Sequence, residues 1–277
     1  MRIPAPPVIL GGLTLLVGAA VLSTLYLGNP LGQPIRTMAW TAAAEQGAVR
    51  VVSAGAAIEP APLAEFSQRH LTDLQGWLGI APRPVTVALF ADRSAYAAYG
   101  KAEIPGFHPR MDFCYSPAEQ AVVGYRTGDR DLQARLRHEL FHHLSASRPV
   151  RLPLWLEEGT AELIEGLAPG PDGALVLSAV QTEHLRTAAR AVHRQGDVAI
   201  QAVLSGGRKA LAADAKGYYA MGYALALHLY ERGELGSAVA TGLVQPDLTA
   251  FRAFVSDQDR WTASISRPLP VVSVATR

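Results

Sequence analysis

The stretch Arg137-His-Glu-Leu-Phe-His-His143 sits inside a longer helical period in which Leu132, Leu136, Leu140 and Leu144 recur every fourth residue. That repeat lines the leucines along one side of a helix, which then buries against a neighbour. His138 and His142 share a different side, four positions apart and therefore on successive turns. Two imidazoles presented in this way can hold a zinc ion at about 2.0 to 2.1 Å each. Glu139 is rotated by about 100° from His138. That puts it near such an ion without aiming it there, a position suited to a base that deprotonates water. His143 faces away from the pair and reads as structural.

A second acidic helix follows closely. Pro153 is placed as a first-turn proline, and Leu154-Trp-Leu-Glu-Glu-Gly-Thr-Ala-Glu162 runs on toward a stop at Gly166. Glu158 comes sixteen positions after His142 (158 − 142), across the breaker-rich interval 145–153. A tight turn there folds the second helix back and presents Glu158 as a third ligand. Glu157 competes for that place but points about 100° further round the helix. Two histidines, one carboxylate and an open position form the ligand set of a catalytic zinc.

Upstream of this pair, strand patterns dominate. Val49–Ser53 and Val85–Phe90 are β-branched runs, and Met111–Tyr115 with Gln120–Tyr125 reads as a hairpin around Ser116-Pro117. Between them the apolar residues Leu63, Phe66, Leu71, Leu74, Trp77 and Leu78 mark one helix, and Arg93–Lys101 marks a shorter one. Gln120–Tyr125 is expected at a sheet edge, open to pairing with an extended peptide. Downstream the periods are helical over Gln181–Arg194, Val198–Leu204, Gly217–Arg232 and Leu248–Val255. Strands followed by helices predict an α+β fold: a small mixed N-terminal sheet with helices, then a mainly helical half, with the zinc site between the two helices described above.

The apolar fraction of 49% and charged fraction of 18% indicate a globular chain, and the net charge of +1 without a basic block excludes nucleic acid as a partner. The single cysteine, Cys114, excludes an internal disulfide framework and a cysteine zinc site. Val8–Leu27 is uncharged and almost wholly apolar. At about 1.5 Å per residue it matches the roughly 30 Å hydrocarbon core of a bilayer. It is expected to be an uncleaved signal-anchor, with a removed signal peptide as the alternative. Residues 1–7, with Arg2, would then form a cytoplasmic stub. The rest would face the periplasm or exterior from a single-pass position in a bacterial cytoplasmic membrane. Residues 28–47 are expected to be a linker, 48–255 the folded domain and 256–277 a C-terminal tail.

His138-Glu-Leu-Phe-His142 together with Trp155-Leu-Glu-Glu-Gly159-Thr-Ala161 resembles the gluzincin metallopeptidases, most nearly the small bacterial peptidase MA-like domains. The resemblance implies His138, His142 and Glu158 as ligands of Zn²⁺ and Glu139 as the base. It also implies that Glu162 orients a ligand histidine and that the hydroxyl of Tyr219 stabilises the tetrahedral intermediate. The family's aminopeptidases carry a Gly-x-Met-Glu-Asn motif that is missing here. The expected activity is zinc-dependent hydrolysis of a peptide or protein substrate. A zinc-stabilised scaffold or binding domain without catalysis is the alternative, against which the presence of Glu139 speaks.

Overall fold

A computed structural model describes residues 34–54, 58–108, 111–126, 129–171 and 175–262. Its first half is a five-stranded sheet in the order β1-β2-β3-β5-β4. The strands are β1 (Ala42–Gln46), β2 (Val49–Ser53), β3 (Val85–Phe90), β4 (Phe113–Ser116) and β5 (Ala121–Tyr125). β2, β3 and β5 are parallel, while β1 and β4 pair antiparallel to β2 and β5 at the two edges. The helices α1 (Pro60–Leu78) and α2 (Arg93–Glu103) supply the crossovers. Central strands covered on both faces read as continuous apolar runs. Val85, Val87 and Leu89 face one way, into a core with Leu71 of α1 and Leu132, Leu136 and Leu140. Ala88 and Phe90 face the other way, against Tyr96 and Tyr99 of α2.

The leucine stripe belongs to α3 (Asp129–Ala146), and the turn after it delivers α4 (Leu154–Glu165). While Leu132, Leu136 and Leu140 join the sheet core, Phe141 and Leu144 of the same helix join a second core in the helical half. That half comprises α4, a small hairpin of β6 (Leu167–Pro169) and β7 (Leu175–Leu177), and α5 (Thr182–Gln195). It continues through α6 (Asp197–Ala213), α7 (Ala215–Glu231), α8 (Leu235–Thr241) and α9 (Leu248–Ser256). Helix α7 is buried almost all round, from Tyr218 to Tyr230, as a central core helix must be. At its crossing with α4 the backbones meet directly: a Cβ on Gly159 would lie 2.1 Å from the Gly222 carbonyl oxygen.

The α+β class is as the sequence indicates, with three differences in detail. The span 28–47, expected as linker, contains strand β1, whose alanines lack the β-branched signature because an edge strand buries little of its surface. Gln120–Tyr125 is not an edge: β5 lies inside the sheet, between β3 and β4, and the edge strand on that side is β4. Residues after Ser256 continue as a short 3₁₀ turn whose Trp261 is buried and bonds the Phe254 carbonyl at 3.2 Å.

The expected membrane placement is also corrected. Among the described residues no helix is long and apolar enough to cross a membrane. The signal-anchor 8–27 and the stub 1–7 lie outside the described residues, and nothing in the described residues supports a single-pass position with a periplasmic or external domain. The extensively buried helix α7 has 17 residues, where a span needs about 20. Its surface is buried against α4, α5 and α6.

Two stability effects follow. Gly159→Ala is expected to destabilise the fold by about 1 to 3 kcal/mol, the usual range for overpacking. Gly76→Ala, where the new methyl meets nothing, should be neutral or stabilising by up to about 1 kcal/mol; denaturant titration of both variants checks the contrast. His70 on α1 is 3% exposed, and burial, helped by the charge of Arg137, holds its pKa down to about 3. An unfolded chain protonates this ring below about 6.5, whereas the folded one resists until about 3, so stability must fall as pH drops through that window. His70→Phe, which keeps the ring packing against Phe66, should flatten that part of the stability–pH curve.

Candidate metal centre

Helix α3 presents His138 and His142 toward α4, with ring centroids 4.9 Å apart. Glu158, on the second turn of α4, meets them. Its Oε2 lies 3.7 Å from His138 Nε2 and 3.6 Å from His142 Nε2. The ligand atoms of all three lie within 4.8 Å of one another. Bond lengths of about 2.0 to 2.2 Å to a common ion require separations of this order, and the N, N, O donor set suits zinc. The three side chains are 10%, 15% and 14% exposed, so the centre is sheltered but reachable.

The outer nitrogens explain why the inner ones point as they do. His138 Nδ1 donates to Glu165 Oε1 at 2.8 Å, and His142 Nδ1 donates to Glu157 Oε1 at 3.4 Å. With Nδ1 committed to a carboxylate, Nε2 is left to face the centre. Glu165 is itself held by Arg135 at 3.2 Å, and Arg137 donates to its backbone carbonyl. The sequence reading put Glu162 behind a histidine. The structure gives that place to Glu165, seven residues after Glu158 and again on its side of the helix. Glu162 lies beside Glu165 but binds Gln181 Nε2 at 3.2 Å and approaches His184 Nε2 at 3.6 Å, tying α4 to α5. Glu157, read as a rival ligand, supports His142 from outside. A spacing of seven was available as a signal for Glu165; nothing in the sequence pointed to Gln181 or His184.

Glu139 is buried beside the pair, at 8% exposure. Its carboxylate accepts a hydrogen bond from the backbone N–H of Tyr115 on the edge strand β4, and burial raises its pKa above the ordinary carboxylate value. Burial opposes charge on both imidazoles, yet they are raised. The bonds to Glu158 and Glu165 outweigh it at His138, and the charge of Glu158 with the bond to Glu157 outweighs it at His142. Burial likewise raises Glu158, but His142 and His138 more than offset it and hold the carboxyl low.

Of the three tyrosines on the first turns of α7, Tyr219 is the one that reaches the centre. Its hydroxyl donates to Glu158, and burial and that carboxylate together push its pKa up. Tyr223 instead accepts from the Gln181 N–H at 2.8 Å, and the buried Tyr218 hydroxyl has no hydrogen-bond partner among the described residues. His143 is structural: Nε2 donates to the Arg83 carbonyl at 3.0 Å, and Nδ1 pairs with the Tyr115 hydroxyl at 3.2 Å.

A divalent cation titrated into the protein is expected to bind about 10- to 100-fold more weakly to Glu165→Gln than to the parent, the usual effect of losing a carboxylate behind a ligand histidine. Glu162→Gln should change affinity by no more than a few-fold. Competition with a chromogenic chelator measures both. No family model matches the chain, and a search of curated proteins returns no match.

Proposed function

We propose that the chain is a zinc-dependent peptidase of gluzincin type. The observation that carries this reading is the convergence of His138 Nε2 and His142 Nε2 on Glu158 Oε2, with a buried carboxylate, Glu139, alongside. His138, His142 and Glu158 would hold the ion. When bound it supplies a Lewis acid that polarises a carbonyl and makes water more acidic.

The chain's own groups then have distinct tasks. Glu139 accepts a proton from the attacking water and passes it to the departing amine nitrogen. Burial raises its pKa above the ordinary carboxylate value, which favours taking the proton, and the Tyr115 N–H bonds to its carboxylate. Tyr219 donates its hydroxyl hydrogen to the oxyanion that develops on the former carbonyl oxygen. Strand β4, as the edge strand next to Glu139, would offer main-chain groups to an extended peptide. This role replaces the one first expected of Gln120–Tyr125.

The test is Glu139→Gln, assayed for metal content and peptide hydrolysis on one preparation. The amide keeps the shape and the Tyr115 bond but cannot accept a proton. Zinc content should stay at the parental level while hydrolysis falls by about 10² to 10⁴-fold. His138→Ala, in contrast, should lose both. A Glu139→Gln protein that retains zinc and near-parental hydrolysis overturns the mechanism. A parent that binds zinc and cleaves no peptide in a broad library favours the scaffold alternative.

A further inference from the structure

We propose that His143 is a positioning residue for the base: with Glu139 it clamps Tyr115 of the edge strand β4, and so sets where the Glu139 carboxylate stands. The inference rests on the peptidase reading and adds to it a residue that is neither ligand nor base. Glu139 and His143 are four apart on α3, hence on one side and on successive turns, about 6 Å along the axis. They take different parts of the same tyrosine. Glu139 accepts the backbone N–H of Tyr115. His143 Nδ1 pairs with the Tyr115 hydroxyl at 3.2 Å, and the two rings meet edge to face with centroids 5.4 Å apart.

The direction of each bond follows from its far end. The Arg83 carbonyl, 3.0 Å from His143 Nε2, can only accept, so Nε2 carries the hydrogen. In the neutral ring Nδ1 is then an acceptor, and the Tyr115 hydroxyl donates to it. The anchor itself is stiff, because Arg83 lies between Pro82 and Pro84. Each proline fixes its own φ, and the residue before a proline is held extended. His143 is 1% exposed, so water competes little for these bonds. Strand β4 needs such an anchor: it has four residues and a ladder on one side only. Freed from His143, Tyr115 can shift, and the N–H that holds Glu139 shifts with it. A displacement of about 1 Å can cost 10²-fold in rate. The same clamp holds the edge strand at a set distance from α3, where a pairing peptide would lie.

The experiment uses the zinc-loaded full chain. His143→Phe and Tyr115→Phe each delete the hydroxyl–imidazole bond and keep a ring in place. Tyr125→Phe, which deletes a hydroxyl bond to Asp112 from the neighbouring strand β5, is the control. One readout is independent of catalysis: amide hydrogen exchange at residue 115, followed by NMR, should quicken by about 10-fold in both clamp variants. It should stay parental in the control, and exchange at Val122 of β5 should not change in any of them. The other readout is hydrolysis of labelled casein, and of a quenched peptide copied from the bond the parent cleaves in it. On that peptide kcat should fall by about 10- to 100-fold, with KM within a few-fold and zinc content parental. The double variant should fall no further than the worse single one. His143→Asn, whose amide oxygen takes the place of Nδ1, should recover part of both readouts. An unchanged exchange rate at 115, or an unchanged kcat, in the clamp variants overturns the proposal. So does equal quickening at Val122, or zinc lost together with activity, since either marks a general loosening of the fold. Quickening confined to residue 115 in a protein whose parent cleaves no casein would remove the peptidase reading and leave the clamp standing.

Discussion

Helices α4 and α7 touch backbone to backbone where Gly159 meets Gly222, and the helical half is arranged around that contact. Helix axes in ordinary packing stand about 8 to 10 Å apart, and only residues without side chains permit a closer approach. Glycine inside a helix is unfavourable by about 1 kcal/mol relative to alanine, so its presence at both positions reflects a steric demand. One turn from the contact, the approach sets Tyr219 against Glu158. Along its length α7 is enclosed, with α5 and α6 filling its remaining sides.

The acids around the candidate centre are divided by what they hold. Glu165 and Glu157 sit outside the two histidines and fix their rings; Glu158 sits inside, on the shared face; Glu139 is anchored to a strand and not to either helix. Buried like charges at such density are tolerable only where each has a partner. Arg135 of α3, Gln181 and His184 at the start of α5, and the Tyr115 N–H of β4 provide those partners. The centre is in this sense built by the whole fold, although its ligand atoms come from two helices alone.

Much of this was legible in the sequence because it depends on local period. The four-residue spacing of His138 and His142, the leucine stripe beside them and the β-branched runs of β2 and β3 each determine a face without reference to tertiary structure. What was not legible depends on long-range pairing. Strand β1 is alanine-rich because it is an edge, and no local pattern says which strand of a hairpin becomes the edge, so β4 and β5 were exchanged. The choice between Glu162 and Glu165 turned on which carboxylate α5 would capture, which is decided by Gln181 and His184 nearly twenty residues later. The continuation of α6 beyond Leu204 was hidden by Gly206-Gly207, which locally reads as a terminus and is in fact a bend. The hairpin β6–β7 and helix α8 are too short for a clear period.

Helix α3 contributes Leu132, Leu136 and Leu140 to one core and Phe141 and Leu144 to another. A shared wall of this kind ties the two halves into a single cooperative unit, since neither core can be completed while α3 is absent or frayed. A fragment containing the sheet with α3 would expose Phe141 and Leu144 to water, and a helical fragment without α3 would lack one side of its interior. The sheet and the helical bundle therefore cannot be exchanged as modules between proteins, even though the chain order, strands before helices, invites a boundary just there.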